Sequence, residues 1–281
     1  MRGCILAGIG RKRIFVQVAS SLLSNLHLSG IFERTIYKGA AKNVCLPSLN
    51  CHSCPLASAA CPVGAFQSVA NSHNFKLSFF VTGLLSLFGL LLGRFVCGWL
   101  CPFGLVQGLL HKIPLPKIRI NGKLDKWMRF LKYAVLLVFV IIIPVFVADE
   151  FGLGYPAFCK YICPAGTLEA GIPILLMNKA LRATVGFLFR WKLIILIVTL
   201  VLSVFIYRPF CKYVCPLGAF YSFFNRISFV RIRFKKEKCV SCGKCKSVCP
   251  MQVTLPEKIS SAECIRCGKC LDVCGTKALS F

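Results

Sequence analysis

Cys239-Val-Ser-Cys242-Gly-Lys-Cys245-Lys-Ser-Val-Cys249-Pro250 is followed by Cys264-Ile-Arg-Cys267-Gly-Lys-Cys270-Leu-Asp-Val-Cys274-Gly275, two runs with the same C-x2-C-x2-C-x3-C spacing. A loop of that period wraps three corners of an iron-sulfur cube, and the fourth cysteine of each run reaches the neighbouring cube. Cys239, Cys242, Cys245 and Cys274 are therefore expected to hold one [4Fe-4S] cluster, and Cys264, Cys267, Cys270 and Cys249 a second. Paired zinc sites share the Cys-x2-Cys element, but eight cysteines in this register fit two cubes. Ahead of the runs, Lys235-Lys236-Glu237-Lys238 makes a charged hinge. Residues 235–281 read as a small α+β domain carrying two clusters, and residues 1–234 as a separate domain.

The larger domain has the composition of a membrane protein. Across 281 residues, 57% are hydrophobic and 16% charged, whereas soluble domains carry about 45–50% and about 25%. A bilayer span takes about 20 mostly apolar residues. Leu77–Val96, Phe130–Ala148 and Gly186–Tyr207 meet that requirement. Ile14–Phe32 is a weaker fourth candidate, because Gln17, Ser20, Ser21, Ser24, Asn25 and His27 interrupt it; an interfacial helix or a signal segment remain open for it. The expected fold is a mostly α membrane protein of about four transmembrane helices. With four spans, 26 of the 35 Lys and Arg fall on the side that carries both termini. The positive-inside rule makes that side the cytoplasm of a prokaryotic cell. The formal charge of +26 then needs no nucleic acid to explain it, since a nucleic-acid binder gathers its basic residues on one soluble face.

The domain also repeats itself. Cys61-Pro-Val-Gly, Cys101-Pro-Phe-Gly, Cys163-Pro-Ala-Gly and Cys215-Pro-Leu-Gly are four copies of C-P-x-G, and Cys97, Cys159 and Cys211 each precede a copy by four residues. Span and motif alternate twice, over about 14–110 and about 130–224. Thiols four apart share one face of a helical turn, so Cys97, Cys101, Cys211 and Cys215 from two such turns are expected to hold a third cluster at the inner face. On the outer side, Cys159 and Cys163 face the loop with Cys51, Cys54 and Cys61. Cys51, Cys54 and Cys61 with at least one of Cys159 and Cys163 are the preferred ligands of a fourth cluster. Cys45 is a further candidate there, and a structural zinc or a disulfide is the alternative. Nineteen cysteines used in this way imply a reducing, oxygen-poor setting.

These features resemble the membrane-bound 4Fe-4S polyferredoxin family that includes the NapH-type quinol dehydrogenase membrane component. The resemblance rests on Phe95-Val-Cys97-Gly-Trp-Leu-Cys101-Pro-Phe-Gly, Cys211-Lys-Tyr-Val-Cys215-Pro-Leu-Gly and the two terminal runs. It implies a four-helix membrane protein that passes electrons between a ferredoxin or quinol and another redox protein, as a component of an oxidoreductase system without a substrate-specific catalytic site of its own. A quinone site, or a part in redox sensing or metalloenzyme maturation, are the alternatives. The chain departs from the simplest members through its third C-x3-C-P and the Cys51–Cys61 loop.

Other features add little chemistry. The four histidines, His27, His52, His73 and His111, place only His27 in a candidate span, so haem is not expected. No glycine-rich nucleotide fingerprint or catalytic triad appears. Asp149 and Glu150 end a span, where acids mark a helix terminus or accept quinol protons. The basic stretch Lys112–Lys132 is open to an acidic electron carrier.

Overall fold

A computed structural model describes residues 8–33, 35–70, 75–120, 122–148, 152–183, 185–257 and 259–281. Cys4, His73, Asp149 and Glu150 lie outside the described residues. The chain is mostly helical: α1 Ile9–Ser24, α2 Pro62–Val69, α3 Phe75–Leu92, α4 Pro102–Leu110, α5 Gly122–Phe146, α6 Pro164–Met177, α7 Phe187–Phe205 and α8 Pro216–Phe224. In the tail, α9 Lys244–Val248 and α10 Lys269–Asp272 pack together, and β1 Arg233–Phe234 pairs antiparallel with β2 Leu279–Ser280. That ribbon ties the start of the tail to its end.

Among the described residues, two helices, α5 and α7, are long and apolar enough to cross a membrane. α3 carries most of the expected Leu77–Val96 span as an apolar helix of 18 residues. Near the end of the Leu77–Val96 stretch, α3 stops at Leu92 because Gly93 turns the chain with φ +50°, a value that glycine adopts without strain. The Ile14–Phe32 stretch does not form one helix, since α1 ends at Ser24. Ser21 and Ser24 donate to carbonyls one turn back, and the Asn25 amide does the same to Ser21 O; such back-bonding weakens the helix it sits in. The polar residues of α1 are its packing face. Gln17 Nε2 donates to Cys101 O at 3.2 Å and Ser20 Oγ to Leu100 O at 3.1 Å.

Helices α5 and α7 keep little of their apolar surface inside the protein. Leu137, Val138, Ile141 and Phe146 on α5, and Ile194, Ile197, Val198 and Val201 on α7, are exposed. The core lies instead between the cysteine-bearing turns, where Val96, Phe103, Phe158, Phe210 and Tyr221 are buried.

Candidate iron-sulfur centres

The four C-P-x-G copies fold alike because their residue types dictate it. Each cysteine takes extended backbone at a helix N-cap, and each proline is the first helical residue. Proline suits that place, since its φ is preset and its missing N–H would be unsatisfied anyway. The cysteine sulfur then faces the positive end of the helix, which favours a thiolate. Gly104 N donates to Cys101 Sγ and Gly166 N to Cys163 Sγ, both at 3.4 Å. Three copies share the preceding turn as well: the N–H groups of Cys101, Cys163 and Cys215 donate to Val96 O, Phe158 O and Phe210 O at 3.1, 3.0 and 2.9 Å.

The inner set is built symmetrically from the two halves. Cys97, Cys101, Cys211 and Cys215 are all buried, and each of Cys101 and Cys215 lies within electrostatic reach of the other half's cysteines. Arg94, three residues before Cys97, donates from Nη2 to Cys211 O at 3.3 Å. Arg208, three residues before Cys211, donates from Nη1 to Cys97 O. Each half thus clamps the other's first cysteine. The motif glycines make room: a Cβ on Gly104 would stand 3.1 Å from Arg208 Nη1 and 3.2 Å from Cys97 O, and one on Gly218 would stand 3.2 Å from Cys211 O. The Gln107 amide donates to Cys211 Sγ at 3.1 Å.

Of the cysteines expected on the outer side, Cys51, Cys61, Cys159 and Cys163 line one cavity of about 680 Å³, with Cys45, His52, Lys42 and Lys192 also on its wall. The Gln67 amide donates to Cys159 Sγ at 3.3 Å, repeating the Gln107 contact six residues after its own motif cysteine. A Cβ on Gly166 would meet Cys51 Sγ at 3.6 Å and Cys163 Sγ at 3.9 Å. Cys54 was preferred from the sequence, but it does not line the cavity; its sulfur lies 4.0 Å from Asn25 Oδ1. The structure thus brings together Cys51 and Cys61 with both Cys159 and Cys163. Burial first, then Glu169, pushes the Cys51 thiol up to about 12. Glu169 accepts from Cys51 N at 2.6 Å, and burial raises its carboxyl to about 7.

In the tail, Cys249 sits with Cys264, Cys267 and Cys270 around one small cavity walled by Ile232, Met251, Val253 and Leu255. The crossover of the fourth cysteine is therefore present in the fold. Cys239, Cys242 and Cys245 form a second group within electrostatic reach of one another, with Cys242 exposed. Burial nudges the Cys274 thiol up, but Thr276 and the backbone N–H groups of Ala278 and Leu279 hold it below its ordinary value.

The tail is docked on the inner set. Ile265 O approaches Gly98 so closely that a Cβ there would stand 2.2 Å from it. Trp99 Nε1 donates to Arg266 O at 2.9 Å, and Arg266 donates to Leu92 O and Asn225 O at 2.7 and 2.6 Å. Glu263 bridges Arg94 at 2.8 Å and Lys132 at 2.5 Å. Burial alone would raise the Glu263 carboxyl, but Arg94 and then Lys132 outweigh it and hold it at about 2.

The donor set fits the cluster chemistry. Four thiolates on a +2 cubane core leave about −2, and such a charge inside a protein requires compensation. Arg208 is 1% exposed and forms no ion pair among the described residues. The Nε donors of Arg94 and Arg208 are also buried without a hydrogen-bond partner. A buried cation without a carboxylate partner, within electrostatic reach of Cys97, Cys101 and Cys211, is the complement of an anionic cluster. The sequence reading missed Arg94, Arg208, Gln67, Gln107 and Glu169. The repeat held the signal, because Gln67, Gln107, Glu169 and Tyr221 all stand six residues after a motif cysteine.

Residues 58–79, 77–121, 132–172 and 189–237 each match the model of a 4Fe-4S binding domain, and residues 231–275 match that of a 4Fe-4S dicluster domain. The chain belongs to the 4Fe-4S binding family. It is accordingly an iron-sulfur protein that holds [4Fe-4S] clusters. Among its relatives, the uncharacterized protein MJ0750 of Methanocaldococcus jannaschii is 35% identical over 198 residues, 68% of this chain and 73% of that protein. The methylamine utilization ferredoxin-type protein MauN of Paracoccus denitrificans is 30% identical over 59% of this chain and 52% of its own. The regulatory protein NosR of Stutzerimonas stutzeri is 30% identical over 60% of this chain and 21% of its own. The matched stretch thus spans about half of MauN and a fifth of NosR. No solved structure matches.

Proposed function

We propose that the protein is an integral membrane electron conduit, in which four cysteine sets form one series. The tail set Cys239, Cys242, Cys245 and Cys274, of which Cys242 is exposed, stands at one end. Next come Cys249, Cys264, Cys267 and Cys270, then the inner set Cys97, Cys101, Cys211 and Cys215, and last the outer set Cys51, Cys61, Cys159 and Cys163. A [4Fe-4S] cluster supplies reversible one-electron exchange at a potential set by hydrogen bonds, charge and exposure. The observation that carries the reading is the contact of Ile265 O with Gly98. It seats the Cys264–Cys267 loop directly on the Cys97–Cys101 turn.

The residues around the sets have separate parts. Arg94 and Arg208 offset negative charge and hold the inner turns together. Gln107 and Gln67 donate to a cysteine sulfur in each membrane set. Trp99, Asn225 and Glu263 fix the tail at contact distance. The outward apolar faces of α5 and α7, joined by Phe79, Phe80, Leu87 and Leu90 of α3, support a bilayer around this series. Both termini and the tail then lie in the cytoplasm by the distribution of basic residues. The ferredoxin-type relative MauN supports redox proteins as partners.

A second reading, quinol oxidation at the outer end, is favoured by the apolar part of the outer cavity, where Val69, Phe80, Val81 and Ile174 form the wall. Reduction of the clusters by a quinol, blocked by a quinone analogue, is its test.

The conduit is tested in anaerobic liposomes loaded with ferricyanide and supplied with dithionite outside. Ferricyanide is consumed through the wild-type holoprotein, and consumption stops in Cys159→Ser/Cys163→Ser. Equal consumption by that variant would contradict the conduit.

A further inference from the structure

The tail presents an exposed end of the series, and its surroundings are strongly one-signed. Lys236, Lys238, Lys244, Lys246 and Lys277 are exposed around the first cysteine set, Lys238 preceding Cys239 and Lys244 and Lys246 flanking Cys245. Glu237 is the sole acid between residues 235 and 249. None of these five lysines pairs with a carboxylate among the described residues. Other basic residues of the inner half are handled differently: Arg94, Lys132 and Lys212 are buried and paired with Glu263 or Asp125, and Arg129 pairs with Asp125. Those four cations share the two carboxylates, and this group is left without one.

The position of the group argues for a protein partner. Cys242 is exposed, whereas the second set is enclosed by its apolar wall and covered on one side by Gly98 and Trp99. A soluble carrier can therefore come close to the first set and not to the second. We infer that the lysine ring around Cys239, Cys242 and Cys245 is a docking surface for an acidic, soluble one-electron carrier. The inference rests on the conduit reading only for the order of the sets. Attraction between opposite patches steers encounter and raises association rates by about 10–1,000-fold, and salt screens it beyond a Debye length, about 10 Å at 0.1 M.

The test uses holoprotein in neutral-lipid nanodiscs and an acidic plant-type [2Fe-2S] ferredoxin as probe. Its Kd is measured at low and at 0.5 M salt, beside Lys238→Glu/Lys246→Glu and the conservative Lys238→Arg/Lys246→Arg. The expected result is a Kd that rises at least tenfold with salt and at least tenfold in the charge-reversed protein, with the arginine pair restoring wild-type binding and iron content unchanged in all three. Wild-type binding by the reversed protein, or no binding of the probe at all, would overturn the docking surface. So would a reversed protein that keeps its affinity for the probe while losing affinity for vesicles containing phosphatidylglycerol, because the lysines would then serve lipid headgroups. Failure of the conduit reads out separately: the small reductant photoreduced deazaflavin would bleach only the tail clusters, whatever the probe's Kd.

Discussion

Replacing Glu263 by Gln should release the tail from the inner set. The carboxylate spans Arg94 Nη1 and Lys132 Nζ at 2.8 and 2.5 Å, and both cations have fully buried side chains. An amide of the same shape removes the carboxylate that the two cations share. The fall of the Glu263 carboxyl from 4.5 to about 2 corresponds to roughly 3 kcal/mol at about 1.4 kcal/mol per unit. Removing one partner of a buried pair costs about 3–5 kcal/mol, so the two routes agree. Three kilocalories are a hundredfold or more in the equilibrium between docked and released tail. Amide hydrogen exchange, followed anaerobically, reads this equilibrium. Protection in the Ile265–Gly268 loop and in the Gly98–Leu100 turn should fall together by about two orders of magnitude, with the eight tail cysteines still holding iron. Unchanged protection at both places would refute the bridge as the element that holds the tail.

Other outcomes follow from single contacts. Gly98→Ala places a Cβ 2.2 Å from Ile265 O; reduction of the inner set from the tail should slow in stopped-flow spectra, at full iron content. Gln107→Leu removes the 3.1 Å donor to Cys211 Sγ, and the midpoint potential of the inner cluster in an EPR-monitored titration should fall, because a hydrogen bond to sulfur stabilises the more negative state. Trp99→Phe removes one neutral hydrogen bond to Arg266 O, worth about 1 kcal/mol; exchange at the tail contact should rise about fivefold, well below the effect at Glu263.

Much of this arrangement was written in the cysteine spacing. A run with fixed loop lengths leaves little freedom, and Cys249 accordingly joins Cys264, Cys267 and Cys270 around one cavity. The C-P-x-G copies were equally legible, since proline and glycine restrict the backbone at each one. Spacing could not decide the outer set. Cys51 and Cys54 are separated by two residues, and only the turn in which Cys54 N donates to Cys51 O sends one sulfur into the cavity and the other toward Asn25. The polar residues of α1 marked a weak span, but their packing partners were not legible. Gln17 and Ser20 look like defects in a span, yet they satisfy carbonyls of the Cys97–Cys101 turn. Arg94 and Arg208 likewise read as flanking charges at span ends. Their burial against the opposite half's cysteine carbonyl depends on the pairing of the two repeats, which no single stretch of chain encodes.

Iron and acid-labile sulfide per chain, measured on anaerobically purified protein and on Cys159→Ser/Cys163→Ser, test the four-set series most directly. Four filled sets correspond to about 16 irons, falling to about 12 in the variant. About 12 in both proteins would contradict a cluster at the outer end, and with it the transmembrane series.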